Sequence, residues 1–175
     1  MSLPVLTTPP AHSRIAALLA SELAHADFHD SWQITVAEPG LTALGQFRQM
    51  FARTPRWVDR CMQLRNTVVR RLGLKDLGRF QGFDPDRPES DYQPGERLGI
   101  FTLFSNSPEE LLVGDHDRHL DVTLSFHLNP ERTVLTVTTV VQVNNWLGRL
   151  YLLPVIPMHR RIAPATLRGI ASTCA

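Results

Sequence analysis

An arginine interrupts an apolar helical pattern, in a position where its charge could bind an anion. The sequence predicts a helix from Pro55 to about Leu72, with proline in its first turn and Gly73 at its end. At about 100° per residue, Arg65 projects into the middle of the apolar side. That side consists of Trp57, Val58, Cys61, Met62, Val68, Val69 and Leu72.

A guanidinium in such a place keeps its charge and needs a partner. Two interpretations of Arg65 stay open. The first is a structural salt bridge, or a side chain that extends to the edge of the helix. The second is an anion-binding group that faces a cavity.

A histidine holds a similar position in the last predicted helix. His159 projects onto an apolar face. That face consists of Val155, Met158, Ile162, Thr166 and Ile170. Imidazole can donate or accept a proton near neutral pH, so His159 is the candidate acid/base group, and a hydrogen-bonded core histidine is the structural alternative. Pro164 predicts a kink, or a new helix start, in the same segment.

A third polar group consists of Asp117, His119 and Asp121. If a strand extends back to Asp117, the three side chains share one side, with their Cα atoms roughly 6.6 Å apart. Carboxylate and imidazole are metal ligands, but this spacing is near the limit for one ion. A solvated sheet face and a hydrogen-bonded Asp–His turn are the alternatives, and we predict no metal and no other cofactor.

Motifs of other catalytic classes are absent from the sequence. There is no GxSxG, GxGxxG, P-loop or HExxH pattern, and no cysteine with a local nucleophile signature.

The elements that must position these residues follow from the hydrophobic period and the turn residues. Helices are predicted from Ser13 to about Leu23 and from Thr42, as the N-cap, through Phe51. A long loop over 82–97 follows the Pro55–Leu72 helix. The predicted strands are Ser31–Val36, Leu98–Phe104, Glu109–Val113, His119–Leu128 and Arg132–Val143. Helical segments over Trp146–Leu153 and Val155–Ala171 end the chain.

This order of elements predicts an α+β fold. It resembles the helix-grip pattern of START and birch-pollen-allergen proteins, in which a curved antiparallel sheet wraps around a long C-terminal helix. A ligand-sized cavity is expected between the sheet and that helix.

The bulk composition indicates an ordinary globular chain. Its 175 residues fit a single domain with a loose N-terminus over 1–12. A net charge of +1 gives no support to a nucleic-acid partner or an anionic membrane surface. Cys61 and Cys174 have no partner motif, and no membrane span or signal peptide is recognised. A cytoplasmic location is therefore expected.

Several stretches together resemble a bacterial family of proteins, the domain-of-unknown-function family twenty-eight sixty-seven, within the SRPBCC, START-like superfamily. The resemblance covers about residues 26 to 170. It is carried by Pro55–Val58, Leu64–Asn66, Leu72–Lys75, Asp117–Asp121, Asn145–Tyr151 and Pro157–Arg160. The resemblance implies a helix-grip fold and no particular activity.

The favoured function is binding of a small hydrophobic or amphipathic molecule in the cavity. Arg65, His159, Trp57 and Tyr151 are the candidate ligand-binding residues, with Arg65 at the acidic end of the molecule. The loop over 82–97 is then a cover. One alternative is a cyclase, dehydratase or hydrolase that uses His159 as acid/base and Arg65 for an oxyanion. The other is a protein-interaction domain.

The remaining motif residues have no predicted role. They are Asp117, His119, Asp121 and Arg149. The sequence does not determine the oligomeric state.

Overall fold

The computed structural model describes residues 5–6, 26–71 and 87–172, apart from the side chains at positions 5, 6, 64 and 67–71. The helix predicted over 13–23, the first part of the 82–97 loop and Cys174 lie outside the described residues. Of the predicted N-terminus over 1–12, Val5 and Leu6 are described, and they form a short strand.

Seven antiparallel strands form one sheet in the order β1-β2-β7-β6-β5-β4-β3. The strands are β1 (Val5–Leu6), β2 (Phe28–Thr35), β3 (Arg97–Leu98), β4 (Phe101–Asn106), β5 (Glu110–His116), β6 (Leu120–Leu128) and β7 (Val134–Val143). Strands β3 to β7 pair with their neighbours in sequence, whereas β2 pairs with β7 along its whole length. The single strand predicted over Leu98–Phe104 is two strands, because the chain turns at Gly99 with φ +60°.

Among the residues that the structure describes, three α-helices accompany the sheet. They are α1 (Ala43–Ala52), α2 (Arg56–Arg71) and α3 (Trp146–Arg168). Thr42 is the N-cap of α1, as predicted, since its side chain accepts a hydrogen bond from the Gly45 amide. Within the described ranges, none of the helices is long and apolar enough to cross a membrane.

The predicted break near Pro154 is wrong, because α3 is one helix that contains Pro154, Pro157 and Pro164. A proline at position i removes the hydrogen bond to the carbonyl at i−4. The carbonyls concerned belong to Leu150, Leu153 and Arg160, which are exposed residues. Water can therefore satisfy these carbonyls, and the helix continues.

The core lies between α1 and the middle of the sheet. Phe47 of α1 is fully buried, and its ring meets the ring of Phe126 on β6 edge to face at 5.0 Å. Leu44 and Leu111 are equally buried in the same cluster. Burying an aromatic or leucine side chain of this kind contributes about 1.5–3 kcal/mol. Helix α1 therefore fills the centre of the covered face.

Helix α3 crosses the side of the sheet formed by β2 and β7. Its last turn and the residues that follow bring Leu167 and Ile170 into the core. The chain continues to Ala171, which forms an isolated bridge with Val36. The molecule is thus an α+β protein whose element order is compatible with a helix grip.

Candidate functional site

The guanidinium of Arg65 joins α2 to α3. Its Nε donates a hydrogen bond to the Tyr151 hydroxyl at 2.7 Å, and its Nη1 donates to Asn66 Oδ1 at 2.9 Å. The guanidinium carbon also lies 5.5 Å from the centre of the Tyr151 ring, within the range of a cation–π interaction. Arg65 is half-buried, in agreement with its position in the helical projection.

The partners of Arg65 carry no charge. Among the described residues, Arg65 takes part in no salt bridge with a carboxylate. Tyrosine and asparagine orient the guanidinium, and within the described residues no carboxylate pairs with its positive charge. An arginine that is fixed, half-buried and without an acidic partner is suited to binding an anion.

His159 faces the inner side of β2. Its Nε2 lies 3.0 Å from Oδ2 and 3.2 Å from Oδ1 of Asp30. Its ring also meets the ring of Phe28 edge to face, with centres 5.7 Å apart. The His159 side chain is 24% exposed and that of Asp30 is 9% exposed, so the pair lies at the border between core and solvent.

The Asp30 carboxylate accepts further hydrogen bonds besides the contact with His159. Oδ2 accepts a hydrogen bond from Trp32 Nε1 at 3.0 Å, and the Thr139 hydroxyl on β7 also bonds to the carboxyl. Burial alone would raise the pKa of Asp30, but the hydrogen bond and charge of His159, with the bonds from Trp32 and Thr139, bring the pKa below its usual value. Asp30 is therefore ionised near neutral pH.

The ionised carboxylate fixes the state of the imidazole. Because a carboxylate only accepts hydrogen bonds, Nε2 of His159 must carry a proton. The other nitrogen, Nδ1, has no hydrogen-bond partner among the residues that the structure describes. Nδ1 is thus the nitrogen that could exchange a proton with a bound molecule.

Sequence reasoning missed Asp30, although a signal was present. In β2, Phe28, Asp30, Trp32 and Ile34 alternate onto one face of the sheet, where Trp32 and Ile34 join the core and Asp30 meets His159 of α3. Extending the alternation of the predicted Ser31–Val36 strand back by two residues would have placed this acid on the covered face.

The Arg65–Tyr151 and Asp30–His159 pairs lie at different positions along α3. Tyr151 and His159 are eight positions apart, which corresponds to about 12 Å along a helix axis. Arg65 and His159 therefore do not form one cluster. Arg65 contacts α3 at Tyr151, whereas His159 lies about two turns further along the same helix.

Asp117, His119 and Asp121 lie at the turn between β5 and β6, and each binds a different group. Asp117 Oδ1 accepts hydrogen bonds from the backbone amides of His119 and Leu120 at 2.6 and 3.0 Å. Asp121 Oδ2 accepts one from the Asn144 side chain at 3.2 Å. Within the part of the chain that is described, no three side chains are grouped as metal ligands.

This turn supports the start of α3. Asn145 is the N-cap, and its side chain accepts from the amides of Leu147 and Gly148 while donating to the Arg118 carbonyl at 2.7 Å. Its amide group also lies within 3.2 Å of His119 Nδ1. The arrangement is a hydrogen-bonded turn that docks a helix N-terminus, the structural alternative stated above.

Trp57 and Arg149 lie apart from these contacts. Trp57 is 43% exposed in the first turn of α2, about 12 Å before Arg65 along the helix. Arg149 is exposed on α3. Neither side chain contacts Arg65, Tyr151 or His159 among the described contacts.

Fold and site together define an α+β protein in which a seven-stranded antiparallel sheet, with β2 paired to β7, carries an acid that contacts a histidine of the last helix. The chain belongs to the family described as Protein of unknown function (DUF2867), whose model matches residues 22–166. This match confirms the resemblance to domain-of-unknown-function family twenty-eight sixty-seven and includes every site residue discussed above. Searches of curated proteins and of solved structures gave no match.

Proposed function

We propose that this chain is a single helix-grip domain that binds a small hydrophobic or amphipathic molecule with an anionic group. The molecule would lie in a cavity between the inner face of the sheet and α3. One observation carries the proposal: Arg65 is half-buried, oriented by Tyr151 and Asn66, and has no carboxylate partner among the described residues. An anionic ligand would supply the missing charge.

The incomplete cover over one end of the sheet supports an apolar binding surface. On β6, Phe126 and Leu128 are fully buried, whereas Val122 and Leu124 on the same face are partly exposed. The partly exposed end lies towards the start of α3, where Gly148 approaches the His119 carbonyl. Apolar side chains that are left half-covered are typical of the lining of a small-molecule site.

The Asp30–His159 pair would form a second polar contact with the ligand. Because Tyr151 and His159 are about 12 Å apart along α3, Arg65 and His159 would touch different parts of one molecule. This favours a ligand at least as long as a medium-chain acid. It also makes joint action of both groups on one carbonyl unfavourable.

Native mass spectrometry of the freshly purified protein, followed by denaturing conditions, is the first experiment. A discrete extra mass that is released on denaturation supports the proposal, and its identity gives the ligand class. Anilinonaphthalene sulfonate, an aromatic sulfonate, then serves as a defined probe for direct titration.

Arg65→Leu should weaken binding of this probe roughly tenfold to hundredfold, because a charge-assisted hydrogen bond contributes about 1.5–3 kcal/mol. Arg60→Leu is the matched control, since Arg60 is an exposed arginine on the same helix and should leave the affinity unchanged. Arg65→Lys keeps the charge and should restore part of the affinity.

Equal affinities of the Arg65→Leu and Arg60→Leu variants would refute the role of Arg65 in binding. Unfolding of Arg65→Leu, with Arg65→Lys folded and binding the probe as tightly as Arg60→Leu, would favour the structural interpretation. Circular dichroism and thermal unfolding distinguish these cases.

An acid–base enzyme is the second candidate, favoured by the ionised Asp30 that fixes the proton on Nε2 of His159. The reaction would be of the cyclase, dehydratase or hydrolase type. If the extra mass changes on incubation, and His159→Gln stops the change without releasing the molecule, the chain is an enzyme. If the mass never changes, binding alone is supported.

A further inference from the structure

The side of α3 that points away from the sheet has an unusual composition. Every residue of α3 that is exposed is either apolar or arginine. These residues are Trp146, Arg149, Leu150, Leu153, Pro154, Pro157, Arg160, Arg161 and Arg168. At about 100° per residue they occupy an arc of roughly 140°, which we name the outer face of α3.

The apolar members form a continuous stripe. Trp146 is 74% exposed, Leu150 52% and Leu153 70%, and Pro157 follows one turn later. The spacing of four, three and four residues keeps the stripe on one side over about 16 Å of helix. Single exposed leucines are ordinary, but an aligned set of large apolar side chains marks an interaction surface.

The charged members all have the same sign. The 23-residue helix contains four arginines and neither aspartate nor glutamate. Arg149, Arg160 and Arg161 form no salt bridge with any residue that is described. The net charge of +1 for the whole chain conceals this local excess.

We propose that the outer face of α3 docks onto an anionic lipid bilayer surface, lying in the plane of the interface. Trp146, Leu150 and Leu153 would enter the boundary between headgroups and acyl chains, and the flanking arginines would contact lipid phosphates. A stripe of tryptophan and leucine bordered by arginines is the pattern of a helix that lies on a membrane without crossing it.

The charge of the outer face of α3 disfavours binding of a second copy of this chain to it. Two outer faces packed together would bring two sets of arginines close to each other, with no acid on either helix to compensate them. An anionic bilayer offers apolar depth and negative charge at once. The inference concerns the opposite side of α3 from Arg65 and His159, so it does not depend on the proposed function.

The test is co-sedimentation of the whole protein with phosphatidylcholine vesicles that either contain or lack phosphatidylglycerol. We expect binding to the anionic vesicles and weak binding to the neutral ones. Binding should fall when sodium chloride rises from about 0.1 M to about 0.5 M, because salt screens exposed charges. In a Trp57→Phe variant, made because Trp57 is also exposed, Trp146 fluorescence should shift to the blue on binding, while Trp32 is buried throughout.

Two sets of variants separate the contribution of the arginines from that of the apolar stripe. Arg160→Gln with Arg161→Gln should lower the affinity for anionic vesicles roughly 30-fold, at about fivefold per arginine. Arg87→Gln with Arg132→Gln removes the same charge from residues paired with Glu96 and Glu109, and should change the affinity little. Leu153→Ser should reduce binding to anionic vesicles, and it should leave the fold intact because Leu153 is highly exposed.

Three results would overturn the proposal. The first is no binding to anionic vesicles at low salt. The second is an equal loss for the two double variants, which would mean that only total charge matters. The third is a wild-type dimer in light scattering that Leu153→Ser converts to a monomer, which would assign the stripe to a second copy.

Discussion

At the scale of single residues, the Asp30 carboxylate fixes His159 as a hydrogen-bond donor through its Nε2 atom. The carboxylate is buried and receives bonds from Trp32, Thr139 and His159. Burial without such bonds would raise the pKa of the carboxyl. The bonds bring the pKa below its usual value, and the contact with His159 ties α3 to β2.

Because the pKa of Asp30 is lowered in the folded protein, the stability of the fold depends on pH. Since its folded pKa lies below the unfolded value of about 3.9, the ionised group contributes stability above about pH 4. That contribution is lost as the pH falls through the folded pKa. We expect Asp30→Asn to be destabilised by about 1–3 kcal/mol near pH 5, and the difference from wild type to shrink below about pH 4.

Urea unfolding at about pH 5, 4 and 3 measures this difference, in a range around the unfolded pKa of aspartate. Asp91→Asn is the control, because Asp91 is exposed and its substitution should change stability by less than about 0.5 kcal/mol. A difference between wild type and Asp30→Asn that stays constant to the lowest pH would show that ionisation of Asp30 does not stabilise the fold.

Gly148 offers a second test at the residue scale, because it lets α3 begin close to β6. A Cβ at this position would lie 2.3 Å from the His119 carbonyl oxygen, which is backbone and cannot rotate away. Gly148→Ala should therefore destabilise the protein by about 1–3 kcal/mol through overpacking.

Thermal unfolding of Gly148→Ala compared with Gly40→Ala tests this contact. A Cβ at Gly40 meets nothing within 4 Å, so that variant should be neutral or slightly more stable. A Gly148→Ala protein as stable as Gly40→Ala would mean that the start of α3 can move away from the β5–β6 turn at no cost.

At the scale of elements, the sequence predicted most strands and helices because each buries one face. Alternation located β5, β6 and β7 to within a few residues, and Thr42 identified the start of α1. The break predicted near Pro154 was wrong, since proline preference does not reveal that the freed carbonyls face water. Gly99 divided another strand by a turn that alternation could not detect.

The site was harder to predict than the elements. Periodicity found Arg65 and His159 because each interrupts an apolar face, and this is a local property of the sequence. Their partners Tyr151 and Asp30 lie 86 and 129 positions away, and only the pairing of elements brings them together. The roles of Arg65, His159, Trp57 and Tyr151 in binding stay predictions.

At the scale of the whole molecule, α1 is buried much more completely than the first half of α3. Helix α1 contributes Leu44, Phe47 and Phe51, all almost fully buried. In the first half of α3, by contrast, Gly148 and Leu152 are the buried residues, and Pro154 and Pro157 each remove a backbone hydrogen bond. The first half of α3 should therefore open at a lower free energy than the sheet.

Such an opening would give a small molecule access to the inner face without unfolding of the sheet. Hydrogen exchange followed by mass spectrometry can detect it, and we expect amides over 146–158 to exchange roughly tenfold or more faster than those of β6 and β7. Segment 166–171 is the internal control, because Thr166, Leu167 and Ile170 are buried. Anilinonaphthalene sulfonate should slow exchange over 146–158 in the wild type and less in Arg65→Leu. Uniform protection along α3 would mean that this helix opens only with the entire fold, and a ligand would then need another route to the inner face.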